Sequence, residues 1–240
     1  MVSRVQAARS VILLPIVLML AGCAGLPATD KQSPGPETTV AEFSYPSGWS
    51  QEGVTDLGTA VQTHQTAVEN TSRRSRLTIV DDDSNRPIVR TLDTDAGTAS
   101  VRFSDTLFGN DIHAYYNAAG VFEYDRTTGE LNRSPDKNWD PDRIASHDRL
   151  RRPMVSLDMN ATRTVTVEGT TAVRYTVSGF RDPDSIPFDT AAGHITVAEE
   201  GFIAEYNITR ASDGNSRQAR YDLSEVGTVT VNRPAWMPDE

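Results

Sequence analysis

The chain contains one cysteine, Cys23, at the end of the tetrad Leu20-Ala21-Gly22-Cys23. A thiol can take up an alkyl group as a thioether, and the small residues at 21 and 22 suit a peptidase active site. A single cysteine excludes a disulfide scaffold and a Cys-cluster zinc site. The other groups that could do chemistry are dispersed. His64, His113, His147 and His194 lie far apart in sequence. His64 falls on an apolar helical face, where a core histidine is the better reading than a ligand. Asp81-Asp82-Asp83 and Asp93-Thr94-Asp95 offer carboxylates to a hard cation. Both lack the distal Glu of a calcium loop and stand beside turn residues, as does Asp182-Pro183-Asp184, so solvated acidic turns fit them better. Neither G-x-S-x-G nor H-E-x-x-H occurs. No catalytic residue, metal site or cofactor is expected, and an enzyme would have to assemble from residues scattered along the chain.

The environment of Cys23 gives it a role. Arg4 and Arg9 precede Val11–Leu20, an uncharged apolar run. A membrane-crossing helix needs about 20 apolar residues; this run has the length of a secretory leader's core. Together they resemble a prokaryotic lipoprotein signal with its lipobox. The competing reading is an ordinary leader with a chance cysteine. The resemblance implies a chain cleaved before Cys23 and anchored through that residue, with two hydrocarbon chains, because one holds only marginally. The expected organisation is a leader over 1–22, a linker over 23–44 carrying Pro27, Pro34 and Pro36, and one domain over 45–240. The linker would set the domain ~25 Å from its anchor. The expected location is the extracytoplasmic face of the cell membrane.

Composition narrows the partners. The 240 residues carry 33 Asp and Glu against 23 Lys and Arg, a formal charge of −10, and only Lys31 and Lys137 are lysines. A nucleic-acid binder needs a positive footprint, so that class is excluded. Removing Arg4 and Arg9 with the leader takes the charge to −12. Excess Asp with almost no Lys resembles lipoproteins of salt-loving archaea, whose surfaces must stay hydrated under strong screening. Four sequons, at Asn70, Asn132, Asn160 and Asn207, make the domain a potential glycoprotein. Trp49, Trp139 and Trp236 each lie near proline at an element boundary. They read as plugs sealing sheet ends in preference to a sugar-stacking platform.

The elements follow from periodicity. Val54, Leu57, Val61, His64 and Val68 fall at helical spacing and predict one amphipathic helix over 54–69. From Ser75 the period becomes two. Alternation predicts strands around Leu77–Ile79, Ile88, Val101–Phe103, Ile112–Tyr116 and Phe122–Tyr124, with a hairpin at Asn117–Gly120. A second block runs through Val165–Val167, Val173–Val177, Ile195–Val197, Phe202–Ile208 and Val229–Val231. Pro141, Ile144, Leu150 and Val155 suggest a short helix between the blocks. Half-buried strands joined by short turns mean antiparallel order. The predicted class is α+β: one large curved antiparallel sheet of about ten strands wrapping one or two helices.

That order, behind a lipobox and linker, resembles the LolA and LppX/LprG half-barrel lipoprotein-carrier superfamily. The run Tyr221–Pro234 looks like its closing strand, and the pair Val173–Gly179 and Gly193–Ile208 is similar. The resemblance implies a hydrophobic cavity between sheet and helices, used to carry or present a lipid-like ligand. Alternation alone nominates Val101, Phe103, Tyr116, Phe122, Tyr175, Val177, Phe202 and Tyr206 as lining, with ordinary core as the competing reading. Two functions stay open beside the unassembled enzyme. One is a monomeric membrane-anchored protein binding an apolar ligand or an envelope protein. The other is a ligand-free structural or interaction module of the cell envelope. A Cys23→Ala variant is expected to leave the membrane fraction on fractionation; if it stays as tightly bound as wild type, the lipobox reading fails.

Overall fold

The computed structural model describes residues 38–135, 140–145 and 147–238. Cys23, the leader, most of the linker and Trp139 lie outside the described residues. The domain opens with a small hairpin, β1 (Trp49–Ser50) and β2 (Gly53–Val54), followed by the helix α1 (Leu57–Val68). Asp56 caps α1: its backbone is extended and its carboxylate accepts from the Thr59 N–H at 2.6 Å. The helix begins three residues later than periodicity predicts, because Val54 is already paired with Trp49 across the hairpin.

Six strands then run as a meander. They are β3 (Arg73–Asp81), β4 (Ser84–Asp93), β5 (Thr98–Asp105), β6 (Asn110–Asn117), β7 (Gly120–Asp125) and β8 (Glu130–Ser134). Two short helices, α2 (Pro141–Ala145) and α3 (Asp148–Met154), replace the single helix expected there. A second meander follows: β9 (Leu157–Val167), β10 (Thr170–Phe180), β11 (Thr190–Ala198), β12 (Ile203–Ser212) and β13 (Asn215–Ser224). The two meanders form one open, curved antiparallel sheet of 11 strands in the order β8-β7-β6-β5-β4-β3-β13-β12-β11-β10-β9. The expected fold class is therefore observed, with one strand more than about ten. Alternation missed β8 and β13, the second touched only by the likeness of Tyr221–Pro234 to a closing strand. Val229–Val231 is not a strand: β13 stops at Ser224, Glu225 takes φ 55°, and the chain leaves the sheet.

Turn chemistry fixes the register. The β6–β7 hairpin closes at Asn117 opposite Gly120, as predicted. β3 and β4 close at Asp81 opposite Ser84, so the Asp81-Asp82-Asp83 run is a hairpin end. At Gly193 a Cβ would come within 1.9 Å of the Asn207 carbonyl oxygen of β12, so only glycine permits that pairing.

The inner face of the sheet is the one covered by helices. Leu77 of β3, Tyr221 of β13, Tyr206 of β12, Ile195 of β11 and Tyr175 of β10 meet Val61 and Val68 of α1 and Met154 of α3 in one core. Phe43, counted with the linker by composition, is buried there too, its ring 5.1 Å from that of Tyr45. A smaller cluster joins Leu92, Ala99 and Ile144 of α2. The outer face is polar along the second meander, where Arg174, Thr196 and His194 gather around Glu205. Along the first meander it is covered by the C-terminal tail: Met237 packs on Tyr115 and Phe122, and the Trp236 indole N–H donates to His113 Nδ1 at 2.9 Å.

Two buried histidines join α1 to the α2–α3 junction. His64 Nδ1 accepts from the Ile203 N–H at 3.0 Å, and its ring meets that of His147 edge-on at 5.1 Å. Burial first, then His147 and the Arg73 guanidinium, holds the His64 imidazole well below its ordinary range. Burial and Arg73 push His147 down to about 4. The unfolded chain, with histidines near about 6.5, binds these protons first. Stability from the neutral pair is complete above that value and is lost as pH falls towards 4. Denaturant midpoints measured across pH 7 to 4 are expected to drop through this window, and a His147→Gln variant should flatten the slope. The tyrosines offer a second check. The Tyr175 hydroxyl donates to the Ser50 carbonyl at 2.9 Å, whereas the buried Tyr206 hydroxyl has no partner among the described residues. Tyr175→Phe should cost about 1 kcal/mol and Tyr206→Phe close to nothing, read by urea unfolding.

Candidate functional site

A cavity opens over the inner face of the sheet where the two meanders meet. β3 and β13 pair from Arg74 opposite Ser224 to Asp81 opposite Arg217. Over that seam the inner face carries Ile79 of β3, Ile88 of β4, Phe103 of β5, Ala219 of β13 and Ile208 of β12, the floor of a cavity of about 470 Å³. Such a volume falls in the range that holds a small ligand. The roof is α3, through Asp148, Arg149, Arg152 and Pro153, and Phe188 closes one side. The cavity lies where α1 and the N-terminal segment, which fill the inner face of the second meander and reach Leu77 of β3, give way to α2 against β4.

Its rim is cationic. Arg86, Arg149, Arg152, Arg210 and Arg217 line the cavity, against Asp105 and Asp148. Three of the five arginines are engaged by the fold. The Asp81 carboxylate accepts from Arg86, from Arg217 at 3.3 Å and from the Ser84 hydroxyl. Those donors hold the Asp81 carboxyl below its usual range, the Ser84 hydrogen bond foremost. Arg210 reaches under α3 and donates to the carbonyls of Arg152, at 2.9 Å, and Pro153, with its guanidinium over the rings of Phe180 and Phe188. Burial lowers its pKa, and neighbouring Arg217 adds to the effect. Arg149 and Arg152, one helical turn apart on α3, have no carboxylate partner among the described residues. Behind them Arg90 is buried in β4, its pKa lowered to about 10 by burial and then by Arg149.

The eight nominated residues divide. Phe103 lines the cavity. Val101 and Tyr116 pack beside it, against the Leu92 cluster. Tyr175, Val177, Phe202 and Tyr206 are packed in the main core. Phe122 is on the outer face, paired with Tyr115 and lying under Arg133 at 5.2 Å. Alternation separates the two faces of a strand but does not say which one the helices cover, and here the C-terminal tail buries the other.

The remaining nominated groups stay apart or serve the fold. His113 lies under Trp236 and accepts or donates to Ser100 at 2.9 Å, depending on tautomer. His194 is 3.7 Å from Glu205 on the outer face. Asp93 accepts from the Ala96 N–H at 3.0 Å in the β4–β5 turn. No cluster of three or more metal-ligating side chains occurs among the described residues. Asn70, Asn132 and Asn160 are exposed; Asn207 is half-buried and accepts from Gln218 at 2.9 Å. Trp49 is a core residue, its ring 5.2 Å from that of Tyr175. A second depression, of about 550 Å³, runs along the outer side of α1 and is lined mostly by threonine and glutamine, open to solvent. Among the described residues no helix is long and apolar enough to cross a membrane.

The arginine rim is the feature sequence reading missed. Arg86, Arg210 and Arg217 stand at alternating inner positions of three strands, but the residues that join them on α3 are contributed by a crossover that no spacing reveals.

Comparison with known proteins gives distant likenesses of fold. The lipoprotein LppX of Mycobacterium tuberculosis is 9% identical with a TM-score of 0.38, covering 73% of this chain and 98% of its own. A LolA-superfamily protein of Nitrosomonas europaea is 7% identical with a TM-score of 0.25, covering 70% and 94%. A chain of the MucA/MucB complex of Pseudomonas aeruginosa is 15% identical with a TM-score of 0.33, covering 76% and 66%. No curated protein matches the sequence. The model of DUF7537, a family of unknown function, matches residues 8–240, nearly the whole chain, and the chain belongs to that family.

Proposed function

We propose that this chain is an extracytoplasmic lipoprotein, anchored through Cys23, that binds the apolar part of a lipid-like molecule in the cavity over the β3–β13 seam. The observation that carries the reading is the cavity floor. Ile79, Ile88, Phe103, Ile208 and Ala219 converge from five strands around about 470 Å³. Apolar side chains on the helix-covered face of a sheet are normally packed by the helices. Here Ile79 and Phe103 are only half-buried at the opening, with Ile88, Ile208 and Ala219 buried behind them along its floor. An entering hydrocarbon would lose water against them at about 25 cal/mol per Å² of apolar area buried. Binding by burial needs no reacting group. The Pro-bearing segment before the domain would act as a tether.

A ligand-free interaction module is the second reading, favoured by the dense inner face of the second meander. There Tyr175, Ile195, Val197 and Ile203 are fully buried and leave no opening for a ligand.

Native mass spectrometry of the protein purified from its own host is expected to show a co-purifying lipid mass. The variant Ala219→Phe, which adds bulk at the cavity floor, should remove that mass or weaken rebinding by about tenfold, with the fold intact by circular dichroism. Consistently empty wild-type protein would leave the interaction module as the reading.

A further inference from the structure

The rim of the cavity says more than its floor. This chain holds 33 acidic residues against 23 basic ones. Arg74, Arg126 and Arg174 pair with carboxylates at the surface. At the cavity the balance reverses, with five arginines and two aspartates. The fold uses Arg86, Arg210 and Arg217 for its own contacts. Arg149 and Arg152 remain, side by side over an apolar floor, with buried Arg90 behind them and no carboxylate of their own among the described residues. Arg149 and Arg152 are exposed, so both guanidiniums are free to meet an anion that a ligand brings to the cavity mouth. Arginine forks suit the planar or tetrahedral oxygens of carboxylate, sulfate and phosphate.

A second observation concerns where such an anion comes from. The hairpin that brings Phe103 and Asp105 to the cavity continues into a turn containing Leu107, 56% exposed, and Phe108, 71% exposed. The turn is ordered: the Leu107 N–H donates to Asp105 Oδ1 at 2.9 Å, and the Asn85 N–H to the Thr106 hydroxyl at 2.8 Å. Two large apolar side chains held out in water, two residues beyond the cavity wall, fit the acyl layer of a membrane.

We propose that the cavity takes an anionic amphiphile drawn from a bilayer: Arg149 and Arg152 bind its charged headgroup, the apolar floor takes its chain, and Leu107–Phe108 touches the membrane it leaves. This rests on reading the cavity as a site for an apolar ligand, and it adds the charge of the ligand and its source.

The test uses two probes with the same chain, 1-myristoyl-lysophosphatidylglycerol and monomyristoylglycerol, titrated as monomers into the folded domain at one fixed salt concentration. The anionic probe is expected to bind about tenfold tighter, and Arg149→Gln with Arg152→Gln, both exposed, should erase that preference while leaving the neutral probe unchanged. Equal affinity for both probes, with both blocked by Ala219→Phe, overturns the headgroup assignment and leaves the apolar site standing. Binding of neither overturns the apolar site itself. Displacement of the anionic probe by inorganic phosphate at matching concentration makes this a free-anion site and overturns the lipid source. With phosphatidylglycerol vesicles as donor, Leu107→Ser with Phe108→Ser should slow uptake by about tenfold without changing affinity for the monomeric probe. Unchanged uptake overturns the role of the turn.

Discussion

The pairing of β3 with β13 is the constraint on which the architecture rests. Each meander could form from local hairpins, but the seam joins residues no closer in sequence than Asp81 and Arg217, 136 positions apart. Once β3 takes β13 as its neighbour, β8 and β9 are driven to opposite edges of an 11-stranded sheet. The chain between them must therefore cross the sheet from one edge to the other, and α2 and α3 are that crossing. Strands stand about 4.8 Å apart, so the crossing is long, and its middle passes over the seam. Asp81 holds the seam at one end by binding Arg86 of one meander and Arg217 of the other.

The distribution of core follows from this arrangement. α1 precedes β3 and lies over the second meander, tied by His64 to Ile203 and by the Val68 carbonyl to the guanidinium of Arg73. The N-terminal segment adds Phe43, Trp49 and Val54 to the same side. The first meander has no comparable helix on its inner face and instead receives the C-terminal tail on its outer face. Helical cover is thus unequal across the seam, and the cavity opens where it runs short. The site arises from a deficit of packing that α3 bridges without filling.

Much of this was legible in the sequence where one strand is its own witness. Period-two alternation located nine of the strands of the large sheet, and Asn117–Gly120 marked a hairpin end, because each depends on a few neighbouring residues. β8, with the sequence Glu-Leu-Asn-Arg-Ser, has no apolar face, since four of its residues are exposed at the sheet edge. Val229 and Val231 alternate like a strand but follow the turn at Glu225–Gly227, which turns the backbone away from the ladder. Phe122 and Tyr116 both sit on alternating faces, and only the helices and tail decide which face is inner. The arginine rim was illegible for a stronger reason. Its members come from four elements, and what unites them is the crossover.

The seam also sets an order of events in time. Sheets dominated by distant pairings fold slowly, on the millisecond-to-second scale. The free ladder of β3 stays bare until β13, the last strand, reaches it. Arg74 and Arg76 point outward along that temporary edge, and charge on an open edge discourages pairing with another chain. The cavity floor is complete only once the seam is paired, because Ala219 and Ile208 belong to the second meander and Ile79, Ile88 and Phe103 to the first. A floor shared across the seam makes the cavity a property of the closed sheet, which neither meander carries alone.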